Sequence, residues 1–392
     1  MTLTPAPHTP ERTLGVAVAG FGWMGRVHTQ AYLRVRHHYP QLALSPRLAT
    51  VAEAVPGRAE VAAAQFGFAS VTRDWRDLVT DDSVAAVSIT APNFLHREIG
   101  CALAAAGKHI WIEKPVGLTA DDARAVAAAA TTAGVQSAVG FNYRNAPAVE
   151  LARELIRSGE LGDITHVRFR LLSDYAAHPD GALSWRFERE RGGNGALGDL
   201  ASHGVDLAWY LLGDIEAVAG DTATFLTSRA RPTGATTGHG RAAGGELGPV
   251  ENEDYVSALL RFASGARGVL EASRVAVGSQ NDYGFEIHGT KGAVFWDFRR
   301  MNELGTSLGS AYQDQSVVTR YVTPEDGEYA AFQPGSASSM SFDDLKVIEC
   351  ARFLTSIEQG RPIGASLADA VRSAVTLDAL VESSASGGWV GV

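Results

Sequence analysis

The chain has 392 residues, 45% of them hydrophobic and 20% charged, which is the balance of a water-soluble protein with material for two domains and perhaps a third. A formal charge of −10 argues against nucleic acid or an anionic membrane as partner, since both need clustered Lys and Arg. Cys101 and Cys350 lie in apolar, helix-like segments and read as buried free thiols, so neither a disulfide nor a metal site is expected. Residues 1–13 are polar and lack the apolar region of a signal peptide, and no apolar run is long enough to span a membrane. They read as a short disordered tail on a cytoplasmic protein.

Residues 15–20 form an apolar run of buried-strand type. Gly20, Phe21, Gly22, Trp23, Met24 and Gly25 follow and open a helix that continues to about residue 36. This is GxGxxG with a strand before it and a helix after it, the context in which the motif binds a dinucleotide. The glycines allow a tight turn and close approach to a pyrophosphate, and the helix N-terminus offers N–H donors and a partial positive charge. Residues 34–47 read as a loop. The next strand covers residues 48–52 and ends at Glu53, 28 residues after Gly25. An acid there hydrogen-bonds the adenosine ribose and repels a 2′-phosphate, which favours NAD over NADP. A solvated strand-end carboxylate is the alternative reading.

Strand and helix go on alternating: a strand at 84–91, a helix at 94–106, and a strand at 109–112 that leads into Glu113, Lys114 and Pro115. Thr119 and Asp122 resemble a capping box for a helix to residue 132, and a further strand covers 137–143. Alternation of this kind means a doubly wound parallel sheet with ligands at the carboxyl ends of its strands. Asn93, His96, Glu113 and Lys114 lie at that rim and join the cofactor-binding candidates. His96 reads better as a helix-start packing or capping residue than as a proton carrier.

After a helix from Pro147 to about residue 157 the pattern changes. Strands are expected at 164–173, 217–225, 256–262, 267–274, 285–288 and 293–296. Runs of strands without helices between them indicate a mostly antiparallel sheet and a second domain. Residues 229–249 and 305–339 read as irregular surface segments, and two helices close the chain, at about 342–358 and 367–384. The expected division is a tail at 1–13, a dinucleotide-binding Rossmann domain at 14–145 and an α+β substrate-binding and oligomerisation domain at 146–392. Within the second, the glycine-rich turn 192–198 feeds a helix carrying Asp199 and His203 four residues apart, on one face at α-helical pitch. Leu200, Leu207 and Leu211 occupy the inward face. Taken alone, Asp199 and His203 could be an ordinary surface pair. A histidine is also the side chain best suited to proton transfer near neutral pH.

These motifs together resemble the Gfo/Idh/MocA oxidoreductase family. The residues that carry the resemblance are Gly20 to Gly25, Glu113-Lys114-Pro115, Gly140-Phe141-Asn142-Tyr143-Arg144, Asp199-Leu200-Ala201-Ser202-His203, Gly360-Arg361-Pro362 and Glu382-Ser383. Within the family the similarity is to the subgroup acting on anhydrosugars such as levoglucosan. Gly204 after His203, and Glu53 where the family more often has Asp, are small departures. The resemblance implies a Rossmann domain with NAD, and a C-terminal open-faced sheet that pairs subunits into a homodimer or homotetramer. It also implies last helices that pack back near the first domain, and Lys114, Asp199 and His203 as the catalytic set. The chemistry of those residues agrees. Oxidising a secondary alcohol of a sugar or cyclitol needs a hydride acceptor, a base and a positive charge near the developing alkoxide, roles for NAD, His203 and Lys114. Tyr143, Arg144, Trp185, Arg186 and Asn194 are the expected sugar contacts, with packing as the alternative role for Trp185. A redox glycosidase, a glycoside 3-oxidase or ketoreductase, and a non-catalytic sugar-sensing regulator remain as other functions for the same fold.

Overall fold

The computed structural model describes residues 12–232, 240–242 and 245–392; most of the expected tail and part of the 229–249 segment lie outside them. The chain divides into two compact units. One comprises residues up to Gly117, Asp121–Asn142 and Ser341–Ala368, and the other Leu118–Ala120, Tyr143–Met340 and Asp369–Val392.

The first unit runs β1 (Arg12–Ala19), α1 (Trp23–His38), β2 (Leu44–Ala52), α2 (Arg58–Phe66), β3 (Ser70–Thr72), α3 (Asp77–Thr80), β4 (Ala86–Ile89), α4 (His96–Ala105), β5 (His109–Ile112), α5 (Ala120–Ala133) and β6 (Ser137–Val139). Its six strands are all parallel, in the order β3-β2-β1-β4-β5-β6. The strand order therefore reverses between β1 and β4, the switch point at which this architecture opens a ligand crevice. Val16, Ala17, Val18, Val87 and Ile89 have no exposure, as a parallel sheet buried on both faces requires. Two expectations change here. Segment 34–47 is mostly regular, because α1 reaches His38 and β2 begins at Leu44. The elements α2, β3 and α3 have no counterpart among those read from the pattern. The Phe342–Gln359 helix also belongs to this unit. A Ser341–Asp344 capping box starts it, Arg34 of α1 pairs with Asp344, and Phe342 stacks on Trp23 at 5.2 Å.

The second unit continues with α6 (Pro147–Arg157), β7 (Ile164–Leu172), α7 (Arg189–Gly192), a π-helical turn at Leu197–Ala201, α8 (Ser202–Leu212), β8 (Ile215–Ala223), β9 (Ser228–Ala230), β10 (Leu247–Pro249), β11 (Tyr255–Phe262), β12 (Arg267–Ser273), β13 (Asp282–Gly289), β14 (Gly292–Asp297), β15 (Glu303–Leu308) and β16 (Val318–Tyr321). The Phe342–Gln359 helix is α9, and α10 (Leu367–Ser386) and β17 (Val390–Gly391) end the chain. Nine strands form one sheet, ordered β16-β15-β14-β13-β7-β12-β11-β8-β17. Every pairing is antiparallel except β7 with β12. Side chains alternate across it: Val256, Ala258, Leu260 and Phe262 are buried, while Leu259 is 49% exposed. The segments read as irregular are partly ordered: β9 pairs with β10, and β15 with β16.

Helix α8 lies against the buried face of the sheet and is itself buried along most of its length. Gly204 explains part of this fit. A Cβ there would stand 2.7 Å from Leu171 Cδ2 and 3.0 Å from Leu270 Cδ1, so a larger residue would force those two leucine side chains of the sheet to give way. Of the two cysteines, Cys350 is buried as expected and Cys101 is only half-buried; both are free.

Candidate active site

In the first unit, the backbone N–H of Gly20 donates to Ala52 O at 2.8 Å. Gly20 has φ +93°, and a Cβ on it would lie 2.7 Å from Ala91 Cα, so only glycine fits there. A Cβ on Gly22 would meet nothing within 4 Å. The protein's own packing does not demand that glycine, whereas close approach of a ligand phosphate would. The N-terminus of α1 has no side-chain cap and no acidic residue in its first turn, which leaves its N–H donors to an anion. These features fit a dinucleotide pyrophosphate. Glu53 is buried at the end of β2, where its carboxylate accepts from Phe21 N–H at 2.7 Å and Val55 N–H at 2.9 Å. Arg58 stands 3.6 Å from it, a neighbouring cation that the linear sequence did not reveal.

His96 ties two rim segments together. Its Nδ1 lies 2.8 Å from Pro115 O and its Nε2 2.8 Å from Ala91 O, while burial lowers its pKa, so the neutral ring donates to one of the two carbonyls at a time. Asn93 and Lys114 are half-buried at the same rim. Glu113, grouped with the cofactor residues in the sequence reading, is committed elsewhere. Its buried carboxylate accepts from Lys346 Nζ at 2.5 Å and lies 2.9 Å from His28 Nε2.

In the second unit, the glycine turn is held from outside. Asn252 Nδ2 donates to Arg186 O at 2.8 Å and Gly193 O at 3.0 Å. Glu253 accepts from Ala196 N–H through its backbone oxygen and from Leu197 N–H through its carboxylate, both at 2.9 Å. A Cβ on Gly195 would lie 2.0 Å from Glu253 O. The helix start is thus capped by a segment more than fifty residues away. Asp199 sits in the π-helical turn and not, as expected, in a regular α-helix. Such wide turns concentrate at functional positions because they re-aim side chains. Tyr175 O–H donates to Asp199 Oδ2 at 2.6 Å, and burial, then the Asp199 charge, raises the phenol's pKa well above its ordinary value.

His203 is buried, and the ring of Tyr143 lies 4.5 Å from it. Tyr283 and Phe298 extend this aromatic wall at 5.8 and 5.0 Å from Tyr143. Burial pushes the Tyr283 pKa up to about 12. Trp185 and Arg186 are half-buried, with the guanidinium 4.7 Å from the indole centre. Arg186 Nε is buried without a hydrogen-bond partner among the described residues. Asn194 is half-buried in the turn. Arg144 is buried, makes a two-pronged pair with Asp206, lies 3.4 Å from Asp369 and is covered by Tyr210, the geometry of a structural clamp.

Pattern reading of the sequence missed Tyr175, Tyr283 and the Asn252–Glu253–Asp254 support with Arg274, which pairs with Asp254 at 2.8 Å. The one available signal was two acids and an asparagine, unusually polar for a segment that enters an apolar strand. Among the described residues no helix is long and apolar enough to cross a membrane.

A dinucleotide-type first unit and a second unit with an acid–histidine turn define an NAD-dependent oxidoreductase built on a Rossmann sheet and an open mixed sheet. Residues 14–141 match the oxidoreductase family with an NAD-binding Rossmann fold, and residues 149–295 match the GFO/IDH/MocA C-terminal domain. The chain belongs to the Gfo/Idh/MocA family. It is 38% identical over 384 residues to levoglucosan dehydrogenase of Pseudarthrobacter phenanthrenivorans, covering 97% of this chain and 98% of that one. It is 28% identical to inositol 2-dehydrogenase of Rhizobium meliloti, covering 95% and 97%. Among solved structures, levoglucosan dehydrogenase in complex with NADH and levoglucosan superposes with a TM-score of 0.91 at 36% identity, covering 97% of this chain and 100% of that one.

Proposed function

We propose that this protein is an NAD-dependent dehydrogenase that oxidises a secondary hydroxyl of a pyranose-like sugar, an anhydrosugar of the levoglucosan kind, or a cyclitol to the ketone. One observation carries the reading. His203 stands against an aromatic wall of Tyr143, Tyr283 and Phe298, one helical turn from an aspartate held by Tyr175. Aromatic rings suit the C–H face of a cyclic substrate, and the histidine beside them suits its hydroxyl proton. The buried, unpartnered Arg186 Nε supports a further hydroxyl contact.

NAD, when bound, supplies the hydride acceptor. In our reading His203 takes the hydroxyl proton, and Lys114 lowers the cost of negative charge on the same oxygen. Asp199 orients the imidazole or a neighbouring hydroxyl. The assembly is a homodimer or homotetramer paired through the exposed face of the nine-stranded sheet.

The test is a turnover screen of anhydrosugars, inositols and glycosides that follows NADH absorbance. Product without net NADH would select the redox-glycosidase alternative, and turnover of open-chain polyols alone would overturn the reading. His203→Asn should lower kcat on the order of 10²–10⁴-fold, the usual worth of a positioned general base, while leaving NAD affinity unchanged. Near-normal kcat in that variant would require another base.

A further inference from the structure

The chain contains only four lysines, Lys108, Lys114, Lys291 and Lys346. Lys346, on α9, has no solvent exposure at all. Its ammonium donates to Glu113 Oε1 at 2.5 Å and to Glu349 Oε1 at 2.8 Å. His28 of α1 reaches the same Glu113 oxygen at 2.9 Å and stacks on Trp111 at 3.7 Å, while its Nδ1 lies 3.1 Å from Ser88 Oγ of β4. Trp111 Nε1 donates to Glu349 at 2.6 Å. Tyr32 of α1 closes the cluster, its hydroxyl 3.0 Å from Ser88 Oγ.

The carboxylates and His28 bring their ligand atoms within 4.8 Å of one another, close enough for a metal ion. Lys346 already occupies that centre and bonds the two carboxylate oxygens such an ion would need. Two acids around one lysine leave the second acid short of charge. Burial outweighs Lys346 at Glu349 and raises its pKa to about 7, and its Oε2 has no partner among the described residues. Burial works against charge at Glu113 too, but there Lys346 and His28 together win and hold its pKa well below the usual carboxylate range. Lys346 therefore serves chiefly Glu113.

Glu113 adjoins Lys114, and the ladder of β5 extends into it, with Glu113 N–H donating to Ile89 O at 3.0 Å. Lys114 follows directly, at the bend that leaves the sheet, so anchoring the Glu113 side chain holds the stretch of backbone from which Lys114 departs. Gly140 completes the seat, since a Cβ there would lie 2.5 Å from both Glu113 carboxylate oxygens. We infer that Lys346 is a positioning residue for the redox chemistry: from the far end of the chain it locks Glu113 and thereby fixes Lys114. This rests on the role given to Lys114 above.

Two variants test it. Lys346→Met with Glu349→Gln removes one positive and one negative charge together. Glu113→Ala removes the anchor but leaves Lys346 paired with Glu349. The first readout is the rate of reductive methylation of Lys114 in the cofactor-free protein, quantified by mass spectrometry, which needs no turnover. Both variants are expected to change that rate several-fold while circular dichroism shows the native fold. The second readout is kcat, expected to fall by about 10–100-fold, the scale of a misplaced catalytic group.

The double variant has a further signature. Lys346 is one of the groups that keep His28 neutral. Burial is the main cause that keeps it neutral, and without the added push of Lys346 His28 should take a proton beside Glu113 more readily, so the kcat deficit should shrink as pH is lowered. A merely structural lysine would change melting temperature without that rescue. If either variant folds and keeps both the Lys114 labelling rate and kcat within about twofold, the inference is overturned. If wild-type protein turns over none of the sugars, the proposed function fails, while the labelling result still decides the role of Lys346.

Discussion

Glu53 and Arg144 show how a residue's partners decide its work. Glu53 brings negative charge to the glycine turn through its bond to Phe21 N–H, with Arg58 only 3.6 Å away. The acid disfavours a 2′-phosphate and the arginine would welcome one. Glu53→Gln keeps the shape and removes the repulsion, so the preference for NAD over NADP in kcat/KM should fall by about tenfold or more, as relief of a like-charge contact implies. Initial rates with both cofactors measure this, and an unchanged ratio would assign the discrimination to another residue. The buried pairing of Arg144 carries a prediction about stability. Its removal leaves Asp206 buried without its guanidinium, and burial already pushes that carboxyl up to about 7 against the pull of Arg144. Arg144→Ala should destabilise the fold by about 3–5 kcal/mol, the cost of breaking a buried pair, and leave KM for sugar nearly unchanged. Denaturant unfolding and steady-state kinetics separate the outcomes: a large KM rise at constant stability would return Arg144 to substrate binding.

At the scale of elements, α1, β4, β5 and α9 share one buried polar seam. His28 is its acid-sensitive member. Burial lowers its pKa from 6.5 to about 4, although Glu113 pulls the other way. A histidine that prefers to stay neutral in the folded state contributes full stability above its unfolded pKa. That contribution fades as pH falls from about 6.5 towards 4, because the unfolded chain takes up the proton first. The shift corresponds to about 3 kcal/mol. Melting followed from pH 7 to 4 should show this loss, and His28→Gln should be the less acid-sensitive protein, whatever its stability at pH 7. Parallel pH curves for the two proteins would remove His28 from the account.

For the whole molecule, the assembly proposed above rests on the exposed sheet face. Leu259 and Val269 are 49% and 41% exposed on it. They border a shallow pocket of about 210 Å³ with His166, Arg168, Glu286 and His288. His166 and His288 stack there at 4.5 Å. A face that mixes exposed aliphatic residues with charges of both signs suits self-association about a two-fold axis. Light scattering at micromolar concentration should give a dimer or tetramer of the 41.4 kDa chain. Leu259→Glu combined with Val269→Glu should yield a folded monomer. A wild-type monomer would refute this mode of assembly.

The features legible in the sequence are those that local chain chemistry encodes. A glycine turn between an apolar run and a helix, alternating strands and helices, and an acid four residues before a histidine each lie within a short window. They brought out the Rossmann unit, the strand-rich second unit and the candidates Lys114, Asp199 and His203. What the tertiary structure decided is which polar groups meet. Glu113 reads as a rim acid until Lys346, 233 residues further on, is found beneath it. Arg144 reads as a sugar contact until Asp206, 62 residues away, is found in its grip. The π-helical turn that carries Asp199 begins at Leu197, whose N–H is capped by Glu253, 56 residues away. Buried charges must find partners wherever the fold brings them, and sequence spacing carries no record of distances that only the closed chain creates.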